Sequence, residues 1–263
     1  MSTSRTGTER GVVTDQSRPT ETAGVADVVD QMRQRLDALP AGDHRRHFLG
    51  TYLRTTMAVG QAIDRGGFED PDWVEQWDVV FAQLYLDALD ASCTGGPISR
   101  PWRLAFDAPA RLHPLQHVLL GVNAHVNYDL PQALLAVITV EDFGDPKLLD
   151  RRRRDHENID GVLASRVAAE DNELPVGTLI DRLLTPLNRL ASKRFLREAR
   201  QKVWHNTYEL HTARVAGPDA YRVRLAELEV LSSAKIADLL APGQVLLRLA
   251  VAGFGVTLPP PAA

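Results

Sequence analysis

The sequence has a single cysteine and no excess of basic charge. Cys93 is the one cysteine among 263 residues, which excludes an intramolecular disulfide and a cysteine-rich metal cluster. The 30 Lys and Arg residues face 34 Asp and Glu residues, whereas a protein that binds nucleic acid typically carries a basic excess. No apolar run approaches the roughly 20 residues of a membrane-spanning helix. These absences predict a soluble, cytoplasmic protein with no nucleic-acid partner and no membrane span.

The sequence also has few strand signals and lacks the common catalytic motifs. Runs that alternate β-branched and polar residues between Asn-Gly or Asp-Gly turns are nearly absent. The chain contains no Gly-x-Ser-x-Gly elbow, no Walker loop and no His-Glu-x-x-His motif. The Glu-x-x-His motif of di-iron helical bundles is missing as well. A helical fold is therefore expected, but no familiar motif indicates a substrate.

Apolar residues recur at helical spacing along most of the chain, which predicts an all-α fold. We expect a single-domain bundle of about eight to ten helices over residues 23–255. Residues 1–22, rich in Ser, Thr and Gly, are expected to form a disordered tail, and residues 256–263 a flexible one. Pro131 is expected to open or kink a further helix. The helical stretches are predicted over 24–38, 44–63, 73–89, 112–129, 146–169, 176–210, 219–240 and 243–251.

An unusually polar stretch lies within the predicted helix over 112–129. Four of its residues are spaced by four and form one slowly drifting stripe: His117, Gly121, His125 and Asp129. Asn123 and Asn127 form a second polar stripe. A buried polar group without a hydrogen bond costs about 1–3 kcal/mol. The helix is therefore either partly exposed or built around a site, and Gly121 would allow a close approach by another helix or a ligand.

His125 and Asp129 can point at a common atom, which leaves two functional interpretations open. Imidazole and carboxylate both suit zinc or iron, so the pair could contribute to a metal site. It could equally be an acid–base pair in which the carboxylate orients the imidazole. The structural alternative is that Asp129 caps the next helix and His125 is a core histidine.

Asp78 strengthens the functional interpretations, because it falls within the apolar stripe of the predicted helix over 73–89. A buried carboxylate is costly unless it is paired or bound to a metal. Tyr85 lies seven residues further along the same face and could join it. A structural link to Arg or Tyr is the alternative for Asp78.

Two later His–carboxylate pairs repeat the same spacing. His156 precedes Asp160 by four residues, and His205 precedes Glu209 by four. Both pairs lie in charge-rich segments, where this spacing arises by chance and is typical of surface pairs. We therefore rank them below His125 and Asp129.

The segment LLGVNAHVNYDLP resembles the Gly-x-Asn-Ala-His-x-Asn-x-Asp-Leu signature of an uncharacterised all-helical family common in actinobacteria, a domain of unknown function. WDVVFAQLYLDAL and PWRLAF resemble segments that precede it in that family, and the resemblance spans approximately residues 45–210. It implies no activity. The residues that it places in the family's recurrent pattern are Asp78, Phe81, Tyr85, Trp102, Asn123, His125, Asn127 and Asp129.

Three hypotheses of function follow. The first is a metal-dependent hydrolase for an ester or phosphoester, in which His125, Asp129 and Asp78 hold zinc or iron; ligand geometry favours it slightly. The second is a metal-free cyclase, lyase or isomerase that acts on a hydrophobic specialised metabolite. The third is a non-catalytic helical interaction module, with a homodimer as one form. The predicted catalytic residues are His125, Asp129, Asp78 and Tyr85, and the predicted substrate-binding residues are Asn123, Asn127, His117, Trp77, Phe81 and Trp102.

Overall fold

The all-α class is confirmed by a computed structural model, which describes residues 24–170, 186–243, 253 and 255–261. Helices joined by turns and loops form residues 24–170 and 186–243, whereas residues 253 and 255–261 have no regular secondary structure, and no strand occurs in the described residues. The helices are α1 (Val25–Ala38), α2 (Arg45–Asp64), α3 (Pro71–Thr94), α4 (Arg100–Phe106), α5 (Pro114–Ala124), α6 (Leu130–Val137), α7 (Pro146–Glu170), α8 (Pro186–Ala216) and α9 (Pro218–Leu240).

The ends of the first helices follow from local chemistry. The carboxylate of Asp43 accepts a hydrogen bond from the backbone N–H of Arg45 at 2.9 Å, which satisfies a free donor at the start of α2. Gly66, at φ +70°, follows the end of α2 as the glycine pair predicts. Asp70 accepts from the N–H of Trp73 at the start of α3. Gly95, at φ +73°, ends α3 five residues beyond the predicted stretch.

The predicted helix over 112–129 is interrupted. After α5 the chain makes one π-helical turn over His125–Asp129, and α6 follows without a break. The N–H of Leu130 bonds to the carbonyl of His125, five residues back. Pro131 has no N–H to continue the α-helical ladder, so this wider turn fits the place where the ladder is broken. Such turns often occur at functional sites.

Helix α4 was not predicted, because the Gly95-Gly96-Pro97 sequence indicates only a loop. Pro101 lies in its first turn, where a missing N–H is tolerated. The helix is short, and its buried face carries Trp102 and Phe106 into the core. It thus brings an indole N–H to the π-helical turn.

The core is built around α3, which packs against α1, α2, α6 and the π-helical turn. A second, smaller apolar cluster lies between α6, α8 and α9 and contains Leu135, Leu210, Leu228 and Leu258. Residues 255–261 include most of the tail predicted to be flexible, and here they lie against α8. Asn206 holds them at two points, donating to the carbonyl of Val256 and accepting from the N–H of Leu258, both at 2.9 Å.

Several predicted segments lie outside the described residues. They are the N-terminal tail over 1–22, residues 176–185 of the stretch predicted over 176–210, and residues 244–251 of the last predicted helix. Within the parts of the chain that are described, no helix combines the length and the apolar character needed to cross a membrane.

Candidate functional site

The π-helical turn carries a buried histidine–carboxylate pair. Nδ1 of His125 lies 2.9 Å from Oδ2 of Asp129. The same carboxylate oxygen accepts a hydrogen bond of 2.8 Å from Nε1 of Trp102 on α4. All three side chains are almost completely buried. The predicted pairing of His125 with Asp129 is thus present, and Asp129 does not cap α6 through its side chain.

A cage of aromatic rings surrounds the His125 imidazole. The ring of Phe81 stacks on it with 3.5 Å between centroids and 5° between planes. Tyr52 meets it edge-on at 4.4 Å. The remaining rings, with centroids 5.8–5.9 Å away, are those of Phe48, Tyr85 and Trp102. Three of the predicted residues therefore lie around His125, namely Phe81, Tyr85 and Trp102.

Gly121 explains how α2 comes so close to this helix. A Cβ atom at Gly121 would lie 2.4 Å from Cγ of Phe48 and 2.9 Å from its Cβ. No side chain larger than hydrogen fits there without a shift of Phe48. The predicted close approach at Gly121 is therefore made by α2, which brings both Phe48 and Tyr52 to His125.

Burial determines the protonation of the pair. It raises the pKa of Asp129 well above its usual range, while the Trp102 hydrogen bond opposes that rise. Burial also lowers the pKa of His125 well below its ordinary value. Both pKa shifts favour the uncharged form, a protonated Asp129 and a neutral His125. In this form the Asp129 carboxyl donates to Nδ1, and the imidazole hydrogen is on Nε2. Nε2 is buried and has no hydrogen-bond partner among the described residues.

Asp78 supplies a second titratable group close by. It is buried on α3, and its Oδ2 has no hydrogen-bond partner within the described part of the chain. Burial, aided by the nearby Glu75 carboxylate, raises its pKa to about 7. Burial and the Asp78 charge raise the pKa of Tyr52 well above its ordinary value. Tyr52 thus contacts the His125 ring and is electrostatically coupled to Asp78.

Asn123 and Asn127 form a ladder along the helix. Nδ2 of Asn127 donates to Oδ1 of Asn123 at 3.1 Å, and Nδ2 of Asn123 donates to the carbonyl of Leu119 at 2.8 Å. Both side chains are buried. These bonds tie α5 to the π-helical turn, and a contact of either amide with substrate stays a prediction.

His117 belongs to a different cluster. Its ring centroid lies 4.5 Å from that of His44 and 5.8 Å from that of His47, both at the start of α2. Burial, together with these two imidazoles, lowers the pKa of His117 to about 4. The stripe drifts by about 40° at each four-residue step, so two steps carry His117 well away from the face of His125.

The two later His–carboxylate pairs do not form. Asp160 is bound to Arg200 at 2.9 Å, and Glu209 is bound to Arg224. His205 lies 3.3 Å from the carbonyl of Leu258. The interpretation of His156 as a surface residue is wrong, because its side chain is completely buried.

His156 lies between two tryptophans. Its ring centroid is 6.3 Å from that of Trp77 and 5.7 Å from that of Trp204. Trp77 in turn lies 5.9 Å from Phe81, which stacks on His125. Trp77, which was predicted to bind substrate, therefore lies between His156 and Phe81, the ring that stacks on His125.

The arrangement does not form a metal-binding group. Across residues 24–162 and 197–243, whose side chains are described, no three of His, Cys, Asp and Glu are placed to hold a metal ion. The three predicted ligands are instead arranged as a bonded pair, His125 with Asp129, and a separate carboxyl, Asp78. The chemistry that this geometry offers directly is proton transfer.

Comparison with known proteins gives a family but no function. No curated protein and no solved structure shows a significant match to the chain. A family model described as "Family of unknown function (DUF5995)" matches residues 25–242, which include every helix described above. The match agrees with the expected membership of an uncharacterised family, a domain of unknown function. The chain belongs to this family of unknown function.

Proposed function

We propose that the protein is a metal-free enzyme that transfers protons on a hydrophobic small molecule, in a reaction of the isomerase, lyase or cyclase type. One observation carries the proposal. Nδ1 of His125 is held by Asp129, while Nε2 is buried and lacks a partner among the residues that the structure describes. A buried ring hydrogen with nothing to bond to is unfavourable in a resting fold but suits a group that meets a substrate atom.

Each group has a distinct task. Nε2–H of His125 donates a proton to the substrate, and Asp129 returns one to Nδ1 through their hydrogen bond. Trp102 holds the Asp129 carboxyl in place and stabilises the carboxylate that this transfer leaves. Asp78 accepts a proton from another substrate atom, since a pKa of about 7 leaves it partly ionised at neutral pH. When the covering helices part, Asp78 releases its proton to solvent and Nε2 of His125 takes one up. Nδ1 then returns its proton to Asp129, which restores the starting state.

The surroundings favour an apolar substrate. Aromatic rings form the walls around His125, and their faces stabilise apolar groups and developing positive charge. Because His125, Asp129 and Asp78 are each at most 3% exposed, a substrate reaches them only when the covering helices part. The same burial excludes water, which strengthens the electrostatic interactions within the site.

A non-catalytic helical module is the second candidate, and the burial of the site is the observation that favours it. In that case the pair of His125 and Asp129, with Trp102, fixes the position of α4 against the π-helical turn. Such a buried polar network specifies one packing of the core. Substitution of His125 would then change stability alone.

The proposal is tested by proton exchange in deuterium oxide. The purified full-length protein is incubated with a panel of apolar ketones, enones and polyenes in the presence of a strong chelator. Mass spectrometry measures the deuterium that each compound gains at carbon. We compare wild type with His125→Gln and Asp78→Asn, each checked for a native fold by circular dichroism, and with Asp87→Asn, an exposed carboxyl on the same helix.

The proposal predicts exchange by wild type and Asp87→Asn, and a loss of at least about a hundredfold in the other two variants. Exchange that the chelator abolishes and zinc or iron restores would favour the metal-dependent alternative. Equal exchange in wild type and folded His125→Gln would contradict the proposal. Absence of exchange across the panel, together with a stability loss in His125→Gln, would favour the non-catalytic module.

A further inference from the structure

A second set of buried nitrogens lies around His156. The His156 cluster consists of Trp73 and Trp77 on α3, His156 on α7 and Trp204 on α8. The rings of Trp73 and Trp77 are 6.3 Å apart, and His156 lies between Trp77 and Trp204. Trp73, Trp77 and His156 are at most 3% exposed. Three helices thus enclose an imidazole and two indoles.

Four polar atoms of this cluster have no partner within the described part of the chain. Both ring nitrogens of His156 and Nε1 of Trp73 and of Trp77 are buried without a hydrogen-bond partner among the described residues. Leaving a buried donor or acceptor unpaired is costly, so these four atoms call for a partner. A bound molecule that offers oxygen atoms would satisfy them.

The charged neighbours of His156 are already engaged elsewhere. The guanidinium of Arg200, which lies close enough to lower the pKa of His156, is bound to Asp160 at 2.9 Å. Asp155 accepts hydrogen bonds from the backbone N–H groups of Glu69 and Asp70 at 2.8 and 2.7 Å. These charges are therefore not the missing partners of the imidazole.

The chemistry of the unpaired atoms indicates a neutral oxygen. The indoles of Trp73 and Trp77 are donors, and an uncharged imidazole offers one donor and one acceptor. Burial and Arg200 lower the pKa of His156 well below its ordinary value, so the ring is uncharged. A hydroxyl can accept from both indoles and donate to the acceptor nitrogen of the imidazole, and a carbonyl oxygen can accept from both indoles. A buried carboxylate or ammonium would instead need a charged partner.

The His156 cluster is continuous with the cage around His125. Phe81 stacks on His125 and lies 5.9 Å from Trp77, which contacts His156. Phe81 and Trp77 are one turn apart on α3, a rise of about 6 Å. An apolar molecule lying along these two rings would have one end at His125 and the other at His156.

We infer that His156, with the indole N–H groups of Trp73 and Trp77, binds a hydroxyl or carbonyl oxygen at the end of an elongated apolar substrate whose other end meets His125. This inference rests on the proposed function for the identity of the ligand as substrate. It assigns His156 a binding role and no proton transfer. The substrate class is an extended hydrocarbon with an uncharged terminal oxygen.

Binding of 1-octanol and of octyl chloride tests the inference on the full chain. The two probes have the same apolar length, and only the alcohol offers a hydrogen-bonding oxygen. Two-dimensional ¹H–¹⁵N spectra of the indole N–H groups give both the affinity and the place of binding. His156→Phe keeps an aromatic ring and removes both nitrogens, and His211→Phe is the matched control because His211 stacks on Phe143 outside the cluster.

We expect wild type and His211→Phe to bind octanol about tenfold more tightly than octyl chloride, with shifts of the Trp73 and Trp77 indole signals. His156→Phe should bind both probes equally. Equal affinities in wild type, no octanol binding, or an unchanged preference in His156→Phe would each overturn the inference. Since the wild-type comparison needs no variant, misfolding of His156→Phe cannot remove the test.

The proposed reaction and the binding role of His156 can be overturned independently of each other. In His125→Gln, proton exchange should be lost while the preference for octanol remains. If wild type shows no proton exchange but its octanol preference disappears in His156→Phe, the binding site stands and the proposed reaction does not. If wild type catalyses proton exchange but binds octanol no more tightly than octyl chloride, the reaction stands and the role of His156 is overturned.

Discussion

The indole of Trp102 donates a hydrogen bond of 2.8 Å to Oδ2 of Asp129, the same oxygen that lies 2.9 Å from Nδ1 of His125. One carboxyl oxygen thus joins α4 to the π-helical turn. Trp102 is 27 residues from Asp129 in sequence, so the short helix α4 contributes directly to the geometry of the acid–base pair.

Trp102→Phe should lower the free energy of unfolding by about 1–3 kcal/mol, because it keeps most of the ring and leaves a buried carboxyl oxygen without its donor. Urea unfolding at pH 7 measures the change. Trp77→Phe is the control, since Nε1 of Trp77 has no partner to lose within the described residues. A loss in Trp77→Phe as large as in Trp102→Phe would show that ring volume, not the hydrogen bond, determines the effect.

Gly121→Ala should destabilise the fold by about 1–3 kcal/mol, because the added Cβ would lie 2.4 Å from Cγ of Phe48. The control is Gly50→Ala on α2, where the nearest atom is 3.8 Å away and alanine should instead stabilise the helix by about 0.5–1 kcal/mol. Thermal unfolding compares the two. If Gly121→Ala is as stable as wild type, Phe48 moves freely and does not fix the cage around His125.

The stability of the wild type should depend on pH through Asp78. Its pKa is about 7 in the fold and ordinarily 3.8, so the folded protein holds this proton over that interval and the unfolded chain releases it. The contribution of Asp78 to the free energy of unfolding should be largest below about pH 4. It should fall by about 1.4 kcal/mol per pH unit toward pH 7 and stay constant at higher pH.

Urea unfolding from pH 4 to pH 8 measures this dependence in wild type, Asp78→Asn and the surface variant Asp87→Asn. The difference in stability between wild type and Asp78→Asn should follow the fall described above, while Asp87→Asn should parallel wild type. Parallel curves for wild type and Asp78→Asn would mean that Asp78 ionises normally and is not the proposed base.

His117 should give a pH dependence of the opposite sign. Its pKa is lowered to about 4 by burial and by His44 and His47, so the unfolded chain binds a proton more readily than the fold. The contribution of the uncharged His117 ring to the free energy of unfolding is complete above about pH 6.5 and is lost as the pH falls toward 4. His117→Gln should reduce this acid-side loss. An unchanged acid-side loss in that variant would assign the effect to other groups.

Sequence patterns were sufficient for most of the long helices and for the central pair, but not for α4. Apolar periodicity, Pro71 and the glycines after α2 and α3 predicted where those helices lie, since these signals are local. His125 and Asp129 were paired by their i,i+4 spacing, and that contact survives the change from α-helix to π-helix. The wider turn itself was not predicted, although Pro131 indicated a break in the ladder.

The partners from distant helices could not be predicted in the same way. Trp102 was expected to bind substrate, and its bond to Asp129 depends on how α4 packs. Tyr52 was not singled out, although it lies four residues after Phe48 on one face of α2. His156 appeared in a charge-rich segment, and only the packing of α7 against α3 and α8 buries it between two tryptophans.

The most direct test of the central claim is the ¹⁵N NMR spectrum of the His125 ring between pH 5 and pH 8, in protein labelled at histidine and assigned with His125→Gln. We predict an uncharged ring with its hydrogen on Nε2 throughout this range, a change in the Nδ1 signal in Asp129→Asn, and no effect of a chelator. A ring that becomes protonated near pH 6.5, or signals that do not respond to Asp129→Asn, would contradict a buried acid–base pair.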